Sequence, residues 1–159
     1  MYKLIACDLD ETLIKPDRTI DSRDIEAIKK LKDLGVKFVL ATGRGYNTVQ
    51  GTLKELDLFD EANQYVISYN GGAITENMDN RLLHFEGISF EKAEELYKRG
   101  LKYDVVIHVY TRDAVYAYNL TEDEKRYVQN RQEMIEVFDQ NLDFLKGLSL
   151  IHISEPTRP

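Results

Sequence analysis

Apolar residues in the first part of the chain come in short unbroken runs, separated by stretches of helical period. Leu4-Ile5-Ala6-Cys7 shows no polar alternation and has the length of a strand, the pattern of a central strand buried on both faces of a parallel sheet. Asp21 or Ser22 then caps a predicted helix with apolar positions Ile25, Ile28, Leu31 and Leu34, and Gly35 is its stop. Residues 36–41 are nearly all apolar and read as a second strand. A second helix carries Val49, Leu53 and Leu56 on one face, and residues 65–68 make a third strand. Strands separated by helical stretches of about 10–15 residues indicate βαβ units and a parallel sheet. The expected class is α/β, with a Rossmann-like open sheet.

The pattern changes after Gly72. Residues 73–75 and 82–85 flank the turn-rich Asn77-Met78-Asp79-Asn80 and suggest a hairpin. Ser89 caps a helix bearing Phe90, Ala93, Leu96, Tyr97 and Leu101. Residues 105–110 and 115–118 read as antiparallel partners, and Tyr103, Tyr110, Tyr116 and Tyr118 suit a sheet. Thr121-Glu122-Asp123-Glu124 is a capping box opening a further helix, with Tyr127, Val128, Met134 and Ile135 spaced for burial. This half is α+β and forms a separate unit, with a boundary expected near residue 80: 1–80 for the first unit and 81–147 for the second. Residues 148–159 continue no convincing period. They look like a translated sequencing adapter and are expected to be a non-native tail, so that the native chain would continue beyond Gly147.

Composition narrows the function classes. The chain has 159 residues, 43% hydrophobic and 31% charged, a globular balance. A net charge of -7 argues against nucleic acid and anionic membranes as partners. Cys7 is the single cysteine, which excludes an intramolecular disulfide and a cysteine-type zinc cluster. No segment reaches the roughly 18 apolar residues of a membrane span, and the first strand begins where a signal peptide would lie, so a cytoplasmic location is expected. His84 and His108 lie in strand-like runs without a second ligand at metal spacing, and read as packed or surface histidines.

Candidate chemistry lies at the ends of the three apolar strands. Asp8 and Asp10 follow the first strand, at the carboxyl edge where open α/β sheets bind ligands. Two carboxylates there repel unless a cation or proton lies between them. They suit a hard cation such as magnesium, which needs only one or two carboxylates plus a substrate phosphate. A strand-end carboxylate can also attack phosphorus, while a second one exchanges protons with the leaving oxygen and water. Thr42-Gly43-Arg44 follows the second strand and offers a hydroxyl, exposed amides and a forked guanidinium to a phosphate. Asn70-Gly71 ends the third strand facing the other two loops.

Taken together, DLDETL, ATGR and SYNGGAI, in that order after successive strands, resemble the haloacid dehalogenase-like (HAD) phosphatase superfamily in its Cof-type subclass IIB. The resemblance covers residues 1 to about 76 and implies that the remainder to Gly147 begins a type-2 cap domain. It implies a magnesium-dependent phosphatase acting through an aspartyl-phosphate on a small phosphorylated metabolite, such as a sugar phosphate or a cofactor phosphate. By matching position, Asp8 is the nucleophile and Asp10 the general acid/base. The Asp8 carboxylate and the Asp10 carbonyl are metal ligands, Thr12 steadies the loop, and Leu9 and Thr12 count among the phosphate- or substrate-binding residues. Thr42, Gly43 and Arg44 meet the phosphate, with Asn70 and Gly71 in the loop before the cap. The family pattern also requires a Lys and a Gly-Asp-x-x-x-Asp loop after the cap. The sequence has no such loop and no assignable Lys, so this chain is expected to be inactive and poorly stable by itself. Alternatives are a phosphomutase of the same superfamily, an inert binding fragment and a receiver-type phosphoacceptor. The last is disfavoured because Ser68-Tyr69-Asn70 lacks the acceptor Asp.

Overall fold

A computed structural model describes residues 2–128 and 133–154. The chain divides into two compact units, Met1–Glu86 and Gly87–Pro159. The first unit keeps both arms of the hairpin, so the division falls after Glu86 rather than near residue 80.

The first unit is built on a five-stranded sheet of order β1-β2-β3-β4-β5, made of β1 (Leu4–Asp8), β2 (Lys37–Ala41), β3 (Tyr65–Ser68), β4 (Ala73–Glu76) and β5 (Arg81–Phe85). The first three strands run parallel, and β4 and β5 return antiparallel. Helix α1 (Ser22–Asp33) starts where the Asp21 carboxylate accepts the Arg23 N–H at 3.0 Å, and Ile28 is its buried contact. Leu34, expected on the apolar face, instead follows the last turn and is exposed, because Gly35 at φ +68° turns the chain away there. Helix α2 (Gln50–Glu55) buries Leu53. The core joins Leu9, Ile28, Phe38, Leu40, Leu53 and Val66.

The place of the first strand also differs from expectation. The apolar run at β1 does not lie inside the sheet: β1 is an edge strand, and Leu4 and Ile5 are 49% and 39% exposed. Its partner on one side is β2, and no described strand flanks the other.

The second unit is a four-stranded sheet of order β8-β7-β6-β9, from β6 (Ile107–Thr111), β7 (Val115–Tyr118), β8 (Ile135–Val137) and β9 (Leu150–Ser154). Helix α3 (Phe90–Gly100) is capped by Ser89, whose hydroxyl accepts the Lys92 N–H at 3.3 Å. Ala93 and Tyr97 on α3 pack with Ile107, Val109, Leu142 and Leu145. Helix α4 (Glu122–Val128) opens with the Glu124 N–H donating to the Thr121 hydroxyl at 3.2 Å. The Glu124 carboxylate is buried 3.8 Å from the imidazole of His108, itself a packed histidine, whereas His84 is exposed.

Two further corrections concern this unit. Ile135 does not continue α4 but opens β8, where its β-branched side chain suits an extended backbone and is exposed. The helical expectation between α4 and Met134 falls on residues 129–132 and on the Tyr127 side chain, outside the described residues. Residues 150–154, expected to follow no strand period, form β9 antiparallel to β6, with Leu150 buried. Pairing with β6 fixes this segment as a strand, with the β-branched Ile151 and Ile153 compatible with it.

Candidate active site

Parallel strands deliver their carboxyl ends to the same edge, and register aligns them here. Asp8 ends β1 opposite Ala41, and Ala41 pairs in turn with Ile67 of β3. Asp8, Ala41 and Ile67 therefore form one row across the sheet, and the loops that follow them rise from it. These loops are tied to one another by main-chain bonds. The Thr42 N–H donates to the Ile67 carbonyl at 2.9 Å, the Asn70 N–H to the Thr42 carbonyl at 3.1 Å, and the Tyr69 N–H to the Arg44 carbonyl at 3.1 Å. A cavity of about 350 Å³ opens above the row, lined by Asp8, Thr42, Gly43, Asn70 and Gly71 together with Ala41 and Ile67.

Two glycines are required by close approach. A Cβ on Gly43 would lie 3.1 Å from Asn70 Oδ1, and one on Gly45 would overlap the Tyr69 hydroxyl. The second loop lies close against the third where these positions lack side chains. Tyr69 and Asn70 both adopt left-handed backbone, at φ 52° and 55°, and Gly71 follows at φ 99°. This turn carries the Asn70 side chain towards Gly43.

Of the site residues expected from sequence, five line this cavity: Asp8, Thr42, Gly43, Asn70 and Gly71. The Asp8 carboxylate accepts the Thr12 hydroxyl on Oδ2 at 2.9 Å, while among the described residues no donor reaches Oδ1. Thr12 thus ties the loop to the Asp8 carboxylate. The Thr42 oxygen accepts the Arg44 N–H at 3.1 Å, which leaves the Thr42 hydroxyl proton for another acceptor.

Leu9 and Arg44 depart from expectation. The Leu9 side chain is fully buried in the core, and its carbonyl accepts the Ile14 N–H at 2.8 Å, which closes the acidic loop. The Arg44 guanidinium does not point free into the cavity. It forks onto the Asp10 carboxylate, with Nε donating to Oδ2 at 2.8 Å and Nη2 to Oδ1. That pair and the lining by Ala41 and Ile67 carry no signal of their role at the strand ends in the sequence. Glycine alternation in Thr42-Gly43-Arg44-Gly45 is the available signal for the Tyr69–Gly45 contact, since it marks backbone approached closely by something.

The donor set suits a hard cation modestly. Among the described residues no three His, Cys, Asp or Glu side chains converge, but magnesium is ordinarily held by one or two carboxylates with water and phosphate. The Asp8 carboxylate and the Asp10 main-chain carbonyl offer oxygen donors of that kind, while the Asp10 carboxylate is taken by Arg44. Cys7, next to Asp8, is no rival nucleophile, because burial and the Asp8 charge push its thiol pKa up and keep it protonated.

An open sheet with carboxylates at one strand end and polar, glycine-containing loops at the next two has the ligand-site layout of an open α/β protein. The chain belongs to the haloacid dehalogenase-like hydrolase family, whose model matches residues 5–153. It is 34% identical over 119 residues to YxeH of Bacillus subtilis (strain 168), which carries a provisional phosphatase name; the match covers 75% of this chain and 44% of that protein. It is 32% identical over 113 residues to the HMP-PP phosphatase of Yersinia pestis (strain Pestoides F), covering 71% of this chain and 40% of that one. The fold matches the HAD subclass IIB sugar phosphatase BT4131 at a TM-score of 0.78 and 19% identity, over 96% of this chain and 57% of the other. The chain thus spans less than half the length of the two curated relatives. Among the described residues no helix is long and apolar enough to cross a membrane.

Proposed function

We propose that this chain is the nucleophile-bearing part of a cytoplasmic, magnesium-dependent phosphatase for small phosphorylated metabolites, and that it does not turn over substrate by itself. The observation that carries the reading is the convergence of Asp8, Thr42, Gly43 and Asn70 on one cavity at the carboxyl end of the parallel strands. Names of relatives support the substrate class: one is an HMP-PP phosphatase and another a sugar phosphatase.

The chemistry assigns each group a task. Asp8 Oδ1 attacks phosphorus, the bond to the leaving oxygen breaks, and the phosphoryl group passes to Asp8 as an acyl phosphate. Asp10 gives its proton to the leaving oxygen and then takes one from the water that attacks the phosphoaspartate, which returns Asp8 and releases phosphate. The Thr42 hydroxyl and the Gly43 and Asn70 loops hold the phosphoryl oxygens, and Thr12 keeps the Asp8 carboxylate in one rotamer. The Asp8 carboxylate and the Asp10 carbonyl would hold magnesium, which would supply positive charge against the phosphoryl oxygens. The missing post-cap Lys and acidic loop are charge-stabilising groups, and loss of one such group costs about 10²–10³ in rate. Their absence from the sequence supports the inactivity of the isolated chain.

The test uses a fluoride-type phosphate mimic. With magnesium and beryllium fluoride, the chain is expected to show an adduct at Asp8 by fluorine NMR, and Asp8→Asn is expected to remove it. No adduct in either form overturns the aspartyl-phosphate reading. Hydrolysis of p-nitrophenyl phosphate by the 159-residue chain overturns the proposed inactivity. Phosphate returned to a sugar substrate, rather than released, by a longer relative that supplies the Lys and the acidic loop would favour the phosphomutase alternative.

A further inference from the structure

The Arg44–Asp10 ion pair joins two groups that the proposed chemistry needs apart. A guanidinium fork fits a carboxylate and a phosphate equally well, so the two anions compete for one donor set. Three observations bear on how that competition runs. The Arg44 amide is fixed by the Thr42 oxygen at 3.1 Å, so its side chain departs from a fixed point beside the cavity. The guanidinium is nevertheless engaged at both Nε and Nη2 by Asp10, on a different loop. The side chains are 25% and 43% exposed, so water screens the pair and partner exchange is inexpensive.

We infer that Asp10 is the resting partner of Arg44, that a phosphate entering the cavity displaces it from the guanidinium, and that this displacement frees the Asp10 carboxylate for its proton-transfer role. Arg44 is thereby a positioning residue for Asp10 as well as a phosphate donor. Phosphate arrival and release of Asp10 become one event, and an empty site keeps its acid/base turned aside. The inference rests on the proposed phosphate site.

A sign reversal makes it testable without turnover. Removing a nearby carboxylate by Asp10→Asn leaves Arg44 without its anionic competitor. Inorganic phosphate, titrated into the full chain while the Gly43 and Asn70 amides are followed by NMR, is then expected to bind about tenfold tighter than to the parent chain, a change of about 1.4 kcal/mol. In an Arg44→Gln background the same Asp10→Asn change is expected to alter phosphate affinity by less than about twofold. Arg44→Lys, which keeps the charge but not the fork, is expected to fall between. The amide spectrum reports folding of every variant, and a merely structural role for the pair predicts weaker binding in Asp10→Asn, not tighter.

If Asp10→Asn binds phosphate no better than the parent while Thr42→Val loses binding, the competition is overturned and the phosphate site stands. If Asp10→Asn tightens binding equally with and without Arg44, general charge repulsion explains the gain and the inference also fails. If no form binds phosphate, the site reading and the inference fall together.

Discussion

The two units place their polar groups differently, and topology is the reason. In the first, three parallel strands send their following loops to one edge, so Asp8, Thr42 and Asn70 meet though they lie far apart in sequence. In the second, β6 runs antiparallel to both β7 and β9, and connections leave at both ends. Its buried polar pair, His108 and Glu124, lies against the body of the sheet instead of at a shared strand end. A parallel sheet concentrates chemistry, whereas a hairpin sheet mainly spreads side chains over a surface.

Core truncation gives the largest expected effect and tests whether the units are energetically separate. Leu40 in β2 and Leu142 beneath α3 are both fully buried. Leu40→Ala and Leu142→Ala should each cost about 2–5 kcal/mol. Hydrogen exchange followed by mass spectrometry should show the lost protection confined to residues 2–86 for the first and to the second unit for the other. Loss of protection in both units from either substitution would mean that they unfold as one body.

A smaller difference concerns alkaline pH. Tyr97 in the second unit has its pKa pushed up to about 12, chiefly by burial, with Tyr118 and Asp139 nearby. Its hydroxyl donates to the Asp139 carbonyl at 2.6 Å, which requires the neutral form. Because the folded pKa lies above the unfolded value of about 10, the stabilisation is complete below pH 10 and is lost as pH rises to about 12. Urea midpoints of the second unit should fall across that window, and Tyr97→Phe should flatten the decline. At neutral pH Tyr97→Phe should cost only about 1 kcal/mol, the value of one hydrogen bond. An unchanged alkaline slope in Tyr97→Phe would assign the transition to another tyrosine.

Helix caps differ by less. Asp21→Ala removes a carboxylate cap and Ser89→Ala a hydroxyl cap, each worth about 1 kcal/mol. The longer bond at Ser89, 3.3 Å against 3.0 Å at Asp21, predicts the smaller loss in the second unit. Thermal unfolding of both variants would rank them, and a larger loss at Ser89 would contradict the bond lengths.

Much of this arrangement is legible in the sequence because it rests on local rules. Uninterrupted apolar runs give β1 to β3, Asp21 and Ser89 announce two helix starts, and strand-end polar residues mark Asp8, Thr42 and Asn70. What escapes depends on partners distant in the chain. Nothing near Arg44 signals that its guanidinium turns to Asp10, 34 residues earlier. The strand at Leu150–Ser154 is decided by pairing with β6, not by its own period. The apolar run of β1 is legible as a strand but its place at the sheet edge is not, since a pattern of burial on both faces does not say which segments do the burying.

That edge supplies the smallest expected effect and the sharpest contrast with β2. Leu40 and Leu4 are both apolar strand residues, yet one is fully buried and the other is 49% exposed. Ile5, Cys7, Ala27, Leu31 and Phe38 line an apolar hollow of about 370 Å³ beside the same strand. If the edge stays open in solution, Leu4→Ala should change stability by no more than about 0.5 kcal/mol, as for other surface truncations. Unpaired strand edges with apolar side chains also promote association, and a charge placed on them opposes it. Ile5→Lys should therefore leave the unfolding midpoint at low protein concentration nearly unchanged while lowering the apparent mass at high concentration in sedimentation. A cost of about 2 kcal/mol or more for Leu4→Ala, growing with protein concentration, would show instead that another chain covers β1, and the difference between β1 and β2 would then be one of partner and not of burial.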